Sequence, residues 1–282
     1  MNHHDLQQIV SCFGQPVAGN PTQYMMERAF AALGLHWRYL TLEVAPDGLA
    51  DAVRGMKAMG FRGGNITKPH KVEVLKYLDR TTQAAGLMGA VNCINREGQE
   101  LVGDNTDGKG FVQSLRGVAD PAGKKIVILG AGGAARAIGV ELGLSGVAEI
   151  TIVNRTADRG QELSQLLAEQ VKIASTFQLW EGDYEIPAET DVLINATSIG
   201  LFDPDAQIPL NEETLTAGMV VADVVFNPPD TRLLAAARRR GCTPLDGLGM
   251  LVNQAVIGFK IWTGVEPDAA VMRDALEEFL GI

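Results

Sequence analysis

Cysteine, histidine and positive charge are all scarce in this chain of 282 residues. Its three cysteines, Cys12, Cys93 and Cys242, lie far apart without a Cys-x-x-Cys spacing. That excludes a disulfide framework and a zinc knuckle and points to a reducing, cytoplasmic setting. The four histidines, His3, His4, His36 and His70, form no ligand pattern, so no metal is expected, and the His3-His4 pair reads as a disordered end. Lysine and arginine number 24 against 34 acidic residues, a net charge of −10. Such a field repels phosphate backbones and anionic headgroups, so neither nucleic acid nor a membrane surface is an expected partner. No stretch reaches the roughly 18 apolar residues a membrane span needs, and the N-terminus lacks a basic region leading into a long apolar run. Any phosphate ligand must therefore be held by local groups.

What is present is an ordinary globular composition, 46% hydrophobic and 21% charged, with room for two packed cores. Strand patterns at Leu6 to Phe13, Trp37 to Val44 and Gly63 to Thr67 alternate with helical ones at Pro21 to Leu33 and Asp47 to Met59, a β-α-β-α-β unit. Val72 to Tyr77 begins another helix, and Ala90 to Arg96 with Glu100 to Gly103 form a hairpin around Glu97-Gly98. A helix from Asp107 then leads to apolar, β-branched runs at Ile126 to Leu129, Glu149 to Val153, Val192 to Asn195 and Val220 to Val225. Helical segments such as Ala134 to Leu142 and Ala157 to Ala168 separate them, the pattern of a doubly wound parallel sheet. Gly249 to Trp262 and Asp268 to Leu280 read as closing helices. The expected fold is two-domain α/β: a substrate domain over 1–105, a Rossmann-type domain over 106–244, and C-terminal helices over 245–282 that pack back on the first domain. A site in the cleft between the domains is expected. Arg238-Arg239-Arg240 before Gly241 suits a helix C-terminus by its dipole, and Met25, Met26 and Met250 read as core or pocket lining.

Three segments carry chemistry. Gly63 to Lys71 and Gly103 to Gly110 are too dense in small, polar and breaker residues to be element interiors, so both read as loops presenting side chains. They offer Lys71 and Asp107, an amine and a carboxylate able to share a proton and exchange it with a substrate oxygen. The third segment, Lys124 to Ala135, is a short apolar strand running into Gly130-x-Gly132-x-x-Ala135 and a helix. Gly130 permits the tight turn and Gly132 lets backbone approach a pyrophosphate. Ala135 allows close helix packing, with phosphate at the helix N-terminus beside Ala131, Gly133 and Ala134. After the second strand of this unit stands Asn154-Arg155-Thr156, with Arg159 a turn on, where an NAD site would carry an acidic residue. Two guanidinium groups and a hydroxyl make a monophosphate clamp, so NADP is the expected cofactor; Asp158 between them keeps NAD as the alternative.

Taken singly, these residues have plain structural readings. Lys71 opens a helix after Pro69, Asp107 is an N-cap, Asn92 closes a turn, Gln254 is a solvated helix residue, and the arginines are surface charges. Their order along the chain changes that. Gly64-Asn65-Ile66-Thr67-Lys68-Pro69-His70-Lys71, Gly89-Ala90-Val91-Asn92, Gly103-Asp104-Asn105-Thr106-Asp107-Gly108, the glycine loop, Asn154-Arg155-Thr156, Asn195-Ala196-Thr197-Ser198-Ile199-Gly200 and Gly249-Met250-Leu251-Val252-x-Gln254-Ala255 follow one another. From about Cys12 to Gly264 the chain resembles the shikimate dehydrogenase family, which includes shikimate and quinate dehydrogenases and related paralogues. The resemblance implies NADP-linked reduction of 3-dehydroshikimate to shikimate, or oxidation of a related cyclic hydroxy acid. Lys71 and Asp107 match the catalytic pair, and Asn92 and Gln254, with Thr67 beside them, match substrate-binding positions. Thr197 and Gly249 fall in motifs implied to face the cofactor.

Two departures bear on the substrate. Where the family carries a Ser-x-Ser-Pro loop implied to hold the substrate carboxylate, this chain has Ala18-Gly19-Asn20-Pro21, so Asn20 is the substrate-binding candidate there. Val225-Phe226-Asn227-Pro228 has Phe where the family has Tyr. Losing such polar partners redirects substrate choice more than it alters the chemistry. The expectations are therefore a shikimate dehydrogenase, a paralogue acting on quinate or another hydroxy acid, or a retired nucleotide-binding sensor. Retention of Lys71, Asp107, Asn92 and Gln254 argues against the sensor. A monomer or homodimer is expected.

Overall fold

The computed structural model describes residues 6–282, and the expectation for His3 and His4 lies outside them. The chain divides into two compact units, one running up to Thr106 together with Gln254–Ile282, the other Asp107–Asn253.

The first unit begins with β1 (Gln8–Gly14), α1 (Thr22–Ala32), β2 (Trp37–Glu43), α2 (Leu49–Ala58), β3 (Gly63–Ile66), β4 (Arg80–Thr81), α3 (Gln83–Met88), β5 (Cys93–Glu97) and β6 (Glu100–Asp104). Its sheet has the order β2-β1-β3-β5-β6-β4. Strand β1 runs parallel to β2 and β3, whereas β5 is antiparallel to β3 and β6. Phe13, Leu49, Val53, Met56, Ile66 and Ile94 form one buried cluster between α2 and the sheet. The β5–β6 hairpin closes at Glu97 opposite Glu100, with Gly98 at φ +63°, a conformation glycine adopts without strain.

A helix, α4 (Thr106–Arg116), leads into the second unit: β7 (Lys125–Leu129), α5 (Gly133–Leu144), β8 (Glu149–Asn154), α6 (Ala157–Leu166), β9 (Ala174–Leu179), β10 (Val192–Asn195), β11 (Val220–Asp223), α7 (Arg232–Arg239) and β12 (Thr243–Leu245). All six strands are parallel, in the order β12-β11-β10-β7-β8-β9. Strand β7 is thus where the winding reverses, the place such sheets bind ligands beyond their strand C-termini. The Rossmann-type expectation holds. The chain ends in α8 (Gly247–Thr263) and α9 (Ala269–Leu280). Within the first unit, α9 lies along α1 through the Arg28–Glu278 ion pair, and Phe259 packs on Phe30 at 5.0 Å between ring centres. Among the described residues, no helix is long and apolar enough to cross a membrane.

Several elements differ from the sequence expectation. Val72 to Tyr77 is not the start of an α-helix; Glu73–Tyr77 is one 3-10 stretch, because Leu78 turns extended and the Asp79 N–H bonds Leu101 O on β6. Pro46–Gly48 is likewise a 3-10 turn preceding α2. Strand β9 goes unanticipated because it is an edge strand whose residues are exposed or half-buried, which leaves no apolar alternation to read. Strand β12 is a three-residue edge strand containing Pro244. Helix α3 has six residues, too few for a periodic signal, and is defined by its ends: Thr82 Oγ1 accepts from Ala85 N, and Gly89 closes it in the left-handed conformation.

Gly63 sits at φ +151°, and a Cβ there would overlap the Ile94 carbonyl and the Trp262 indole. Those groups are joined by the Trp262 Nε1–H to Ile94 O bond of 2.8 Å that ties α8 to β5. Gly63→Ala is expected to destabilise the protein by about 3 kcal/mol or more, read as a lower urea midpoint.

Candidate functional site

In the first unit the polar residues gather where β3 ends and β5 begins. Asn65 is buried, its Oδ1 accepting from the Tyr39 hydroxyl at 2.7 Å and its Nδ2 donating to Asn92 O at 3.0 Å. Asn92 is buried beside it; its Oδ1 accepts from Thr106 N at 2.7 Å and its Nδ2 donates to Thr106 Oγ1 at 3.1 Å. The Thr106 hydroxyl in turn has two acceptors within reach, Asn92 Oδ1 at 3.3 Å and Gln254 Oε1 at 3.5 Å on α8. The structure thus brings Asn92 and Gln254 together through Thr106, a residue sequence reasoning did not single out. Asp107 follows Thr106 directly, in the first turn of α4.

Lys71 is joined to the same strand end, since its carbonyl accepts from Val91 N at 2.8 Å. Thr67 N bonds Phe13 O, His70 N bonds Thr67 O, and the buried His70 ring places Nε2 2.7 Å from Val44 O. His70 therefore anchors the loop from which Lys71 projects. The Lys71 charge also reaches Cys12, whose thiol burial pushes up to about 11 against the opposing pull of Tyr39 and Lys71; Cys12 is a neutral thiol. Asn20 stands next to it: its Nδ2 points at Cys12 Sγ at 3.7 Å, and its Oδ1 accepts from Thr22 N at 2.9 Å.

In the second unit the glycine loop follows β7. Gly130 has φ +108° and lies against Ala196 O and Thr197 Cγ2, each 3.1 Å from where a Cβ would stand. Gly132 caps α5 without a side chain, and Gly132 and Gly133 face open space, so backbone N–H groups at a helix N-terminus are accessible to an anion. A pocket of about 300 Å³ opens there, lined by Ala131, Gly132, Gly133, Arg136, Arg159 and Glu162. Ala134 is half-buried in the first turn of α5, and Ala135 is fully buried against the sheet. The end of β8 supplies the rest. Asn154 Nδ2 bonds Thr156 O at 2.8 Å, and the Thr156 hydroxyl makes no cap bond to α6. Arg155 and Arg159 are exposed. Many other arginines are paired, as Arg38 is with Glu27 and Arg239 with Glu212; Arg155 and Arg159 have no ion pair among the described residues. Open glycines, unpaired guanidinium groups and a spare hydroxyl fit a dinucleotide carrying an extra phosphate.

Arg136, on the first turn of α5, was missed in the sequence; it lies on the same pocket, and its Nη1 is 2.8 Å from Glu162 Oε1. Its only signal was position, one residue beyond the glycine fingerprint. Thr197 is spent on its own turn, its hydroxyl donating to Asn195 Oδ1 at 2.7 Å and accepting from Ile199 N at 3.1 Å. Gly249 is close-packed, with no room for a Cβ beside the Ser114 hydroxyl, and its N–H reaches Asp246 Oδ1 at 3.3 Å. Beneath Thr197, Asp223 is buried at the end of β11. It accepts from Asn195 Nδ2 at 2.8 Å, Val225 N at 3.0 Å and Thr231 Oγ1 at 2.8 Å. Burial raises its carboxyl above the ordinary value, against those three bonds. Among the described residues no group of three or more His, Cys, Asp or Glu could hold a metal ion.

Three family models match the chain. They are described as shikimate dehydrogenase substrate binding domain over residues 12–94, shikimate / quinate 5-dehydrogenase over 114–202, and shikimate 5'-dehydrogenase C-terminal domain over 247–277. The shikimate dehydrogenase (NADP(+)) of Moorella thermoacetica is 42% identical over 97% of this chain and 94% of its own length. The ligand-free 5-ketofructose reductase of Gluconobacter sp. strain CHM43 is 51% identical with a TM-score of 0.95, covering 97% of this chain and 99% of that one. The shikimate 5-dehydrogenase of Listeria monocytogenes, solved with shikimate and NAD, is 33% identical with a TM-score of 0.89, covering 95% and 96%.

Asp223→Ala removes the acceptor of the Val225 N–H and the Thr231 hydroxyl and leaves the Asn195 amide only its 3.4 Å bond to Ile199 O, and is expected to cost about 3 kcal/mol in urea unfolding. Because the folded-state pKa of Asp223 is raised, the folded protein binds the proton more tightly than the unfolded chain. Its contribution to stability is present at low pH and declines as pH rises from the ordinary carboxylate range through the raised value. The stability difference between wild type and Asp223→Asn should shift against wild type over that interval, measured by unfolding at stepped pH.

Proposed function

The chain belongs to the shikimate dehydrogenase family, and from that premise we propose that it is an NADP-dependent oxidoreductase interconverting 3-dehydroshikimate and shikimate. The observation that carries the reading is one chain offering both halves of such an enzyme. An amide-rich strand end bears Lys71 and leads into Asp107, and an arginine-lined glycine loop lies where the parallel sheet reverses its winding. The bound nicotinamide would donate or accept the hydride. Lys71 gives a proton to the carbonyl oxygen as it gains negative charge, and takes it back in the oxidative direction; Asp107 orients the amine. Asn92 and Gln254, with Thr67 beside them, bond the substrate's hydroxyl groups, for which amides offer both donors and acceptors, and the Asn20 amide donates to the carboxylate. Gly130, Ala131, Gly132, Gly133 and Ala134 cradle the pyrophosphate. Asn154, Arg155, Thr156 and Arg159 hold the adenosine end, with Thr197 and Gly249 shaping the turns beside the dinucleotide. The reading carries a small-molecule substrate, a monomer or homodimer, a cytoplasmic setting and no nucleic-acid partner.

A second reading keeps this chemistry and changes the substrate to a neutral polyhydroxy ketone. Its support is the loop before α1. Ala18 offers no donor, and Asn20 directs Nδ2 at a neutral thiol and Oδ1 at its own turn. An anionic carboxylate is poorly served there, whereas a hydroxyl suits a carboxamide. The 51% identical 5-ketofructose reductase points the same way.

Rates with NADPH and 3-dehydroshikimate, quinate's ketone and 5-ketofructose, measured side by side, decide between the two. A higher kcat/KM for 3-dehydroshikimate than for the ketose establishes the first reading, and the reverse order establishes the second. Under either, Lys71→Ala should lower kcat by at least about 100-fold while NADPH binding, followed by fluorescence, is retained. Turnover of none of these by wild type would sink both.

A further inference from the structure

We propose that Glu162 tunes how strongly this chain prefers a 2′-phosphorylated dinucleotide, by holding the Arg136 guanidinium until the phosphate takes it. The inference rests on the NADP reading and concerns residues that reading does not use. Arg136 sits on the first turn of α5, directly after the glycine loop, and Glu162 sits on α6, one turn beyond Arg159 on the same face. All three line the pocket between the two helices. With a pyrophosphate at the α5 N-terminus, the adenosine ribose extends toward the end of β8, which brings its 2′ position to this group of side chains.

The Arg136–Glu162 pair is built to be exchanged. Among the described residues a single contact holds it, Nη1 to Oε1 at 2.8 Å, and the buried Nε–H of Arg136 has no hydrogen-bond partner there. The Glu162 side chain is 67% exposed, so it can leave the guanidinium for water at little cost, while Arg136, at 32%, stays in place. A phosphate dianion presents three oxygens to a planar fork of donors and outcompetes one carboxylate oxygen for it. When the ribose carries only a hydroxyl, Glu162 keeps Arg136 neutralised, so no bare guanidinium is left beside an uncharged 2′ position. Glu162 therefore weakens 2′-phosphate binding relative to what Arg136, Arg155 and Arg159 would give alone.

Isothermal titration of 2′,5′-ADP and 5′-AMP against wild type, Glu162→Gln, Arg136→Gln and the double variant tests this without turnover. Wild type should bind 2′,5′-ADP more tightly than 5′-AMP. Glu162→Gln should tighten 2′,5′-ADP by about three- to tenfold and leave 5′-AMP within about twofold. Arg136→Gln should weaken 2′,5′-ADP by about fivefold, and in that background Glu162→Gln should gain less than about twofold. Unchanged or weaker binding of 2′,5′-ADP by Glu162→Gln overturns the proposal, as does an equal gain with and without Arg136. If wild type fails to distinguish the two nucleotides, the NADP reading falls with it. If wild type distinguishes them and Glu162→Gln has no effect, the proposal alone falls.

Discussion

A chain of buried hydrogen bonds from Tyr39 through Asn65 and Asn92 to Thr106 sets the geometry of the first unit's strand ends. Each group in it is out of reach of water, so leaving any one unpaired would cost far more than the net gain of a single bond. The chain therefore admits one arrangement. Asn92 O accepts from both Ile66 N and Asn65 Nδ2, which locks β3 against the entry to β5. Val91 N, one residue earlier, fixes the carbonyl of Lys71. The far end of the same amide receives the first N–H of α4, the helix whose next residue is Asp107. A carboxamide rather than an aliphatic side chain is needed at 92 because it must accept from a backbone N–H and donate to a hydroxyl at once.

The second unit meets a different constraint, an anionic ligand in a chain of net charge −10. Long-range attraction is unavailable, so on the proposed reading binding rests on groups within a few ångströms: backbone N–H at the α5 N-terminus and the nearby guanidinium groups. Arg155 and Arg159, which have no ion pair among the described residues, leave uncompensated positive charge at the end of β8. Below the neighbouring turns, Asp223 and Asn195 hold the loops after β10 and β11 by bonds that depend on a buried carboxylate remaining paired.

On the proposed reading, the residues that govern substrate choice and those that govern cofactor choice belong to different units. The loop through Ala18 and Asn20 belongs to the first unit and bears on whether a carboxylate or a hydroxyl is favoured. Arg136, Glu162 and Arg159 belong to the second and bear on the ribose.

Much of this was legible in the residue order. Strands β7, β8, β10 and β11 declare themselves by β-branched apolar runs, because a buried strand must be apolar wherever it sits. The glycine loop and the motifs around Lys71 and Asp107 are equally plain, since breakers and small residues have few other uses. Short or solvated elements were not legible: α3 is defined by its caps, and β9 and β12 are edge strands without an apolar alternation. Nor were partnerships between distant residues. The sequence by itself determined the two-domain α/β class and the nucleotide loop and marked the candidates for the reactive side chains, all through local composition and spacing. Only the tertiary structure decided that Thr106 joins Asn92 to Gln254, that His70 anchors its loop, that Asp223 supports Thr197's turn, and that Arg136 shares a pocket with Glu162. Those are contacts between residues far apart in the chain, and a hydrogen bond or ion pair exists only where folding brings its two ends within reach.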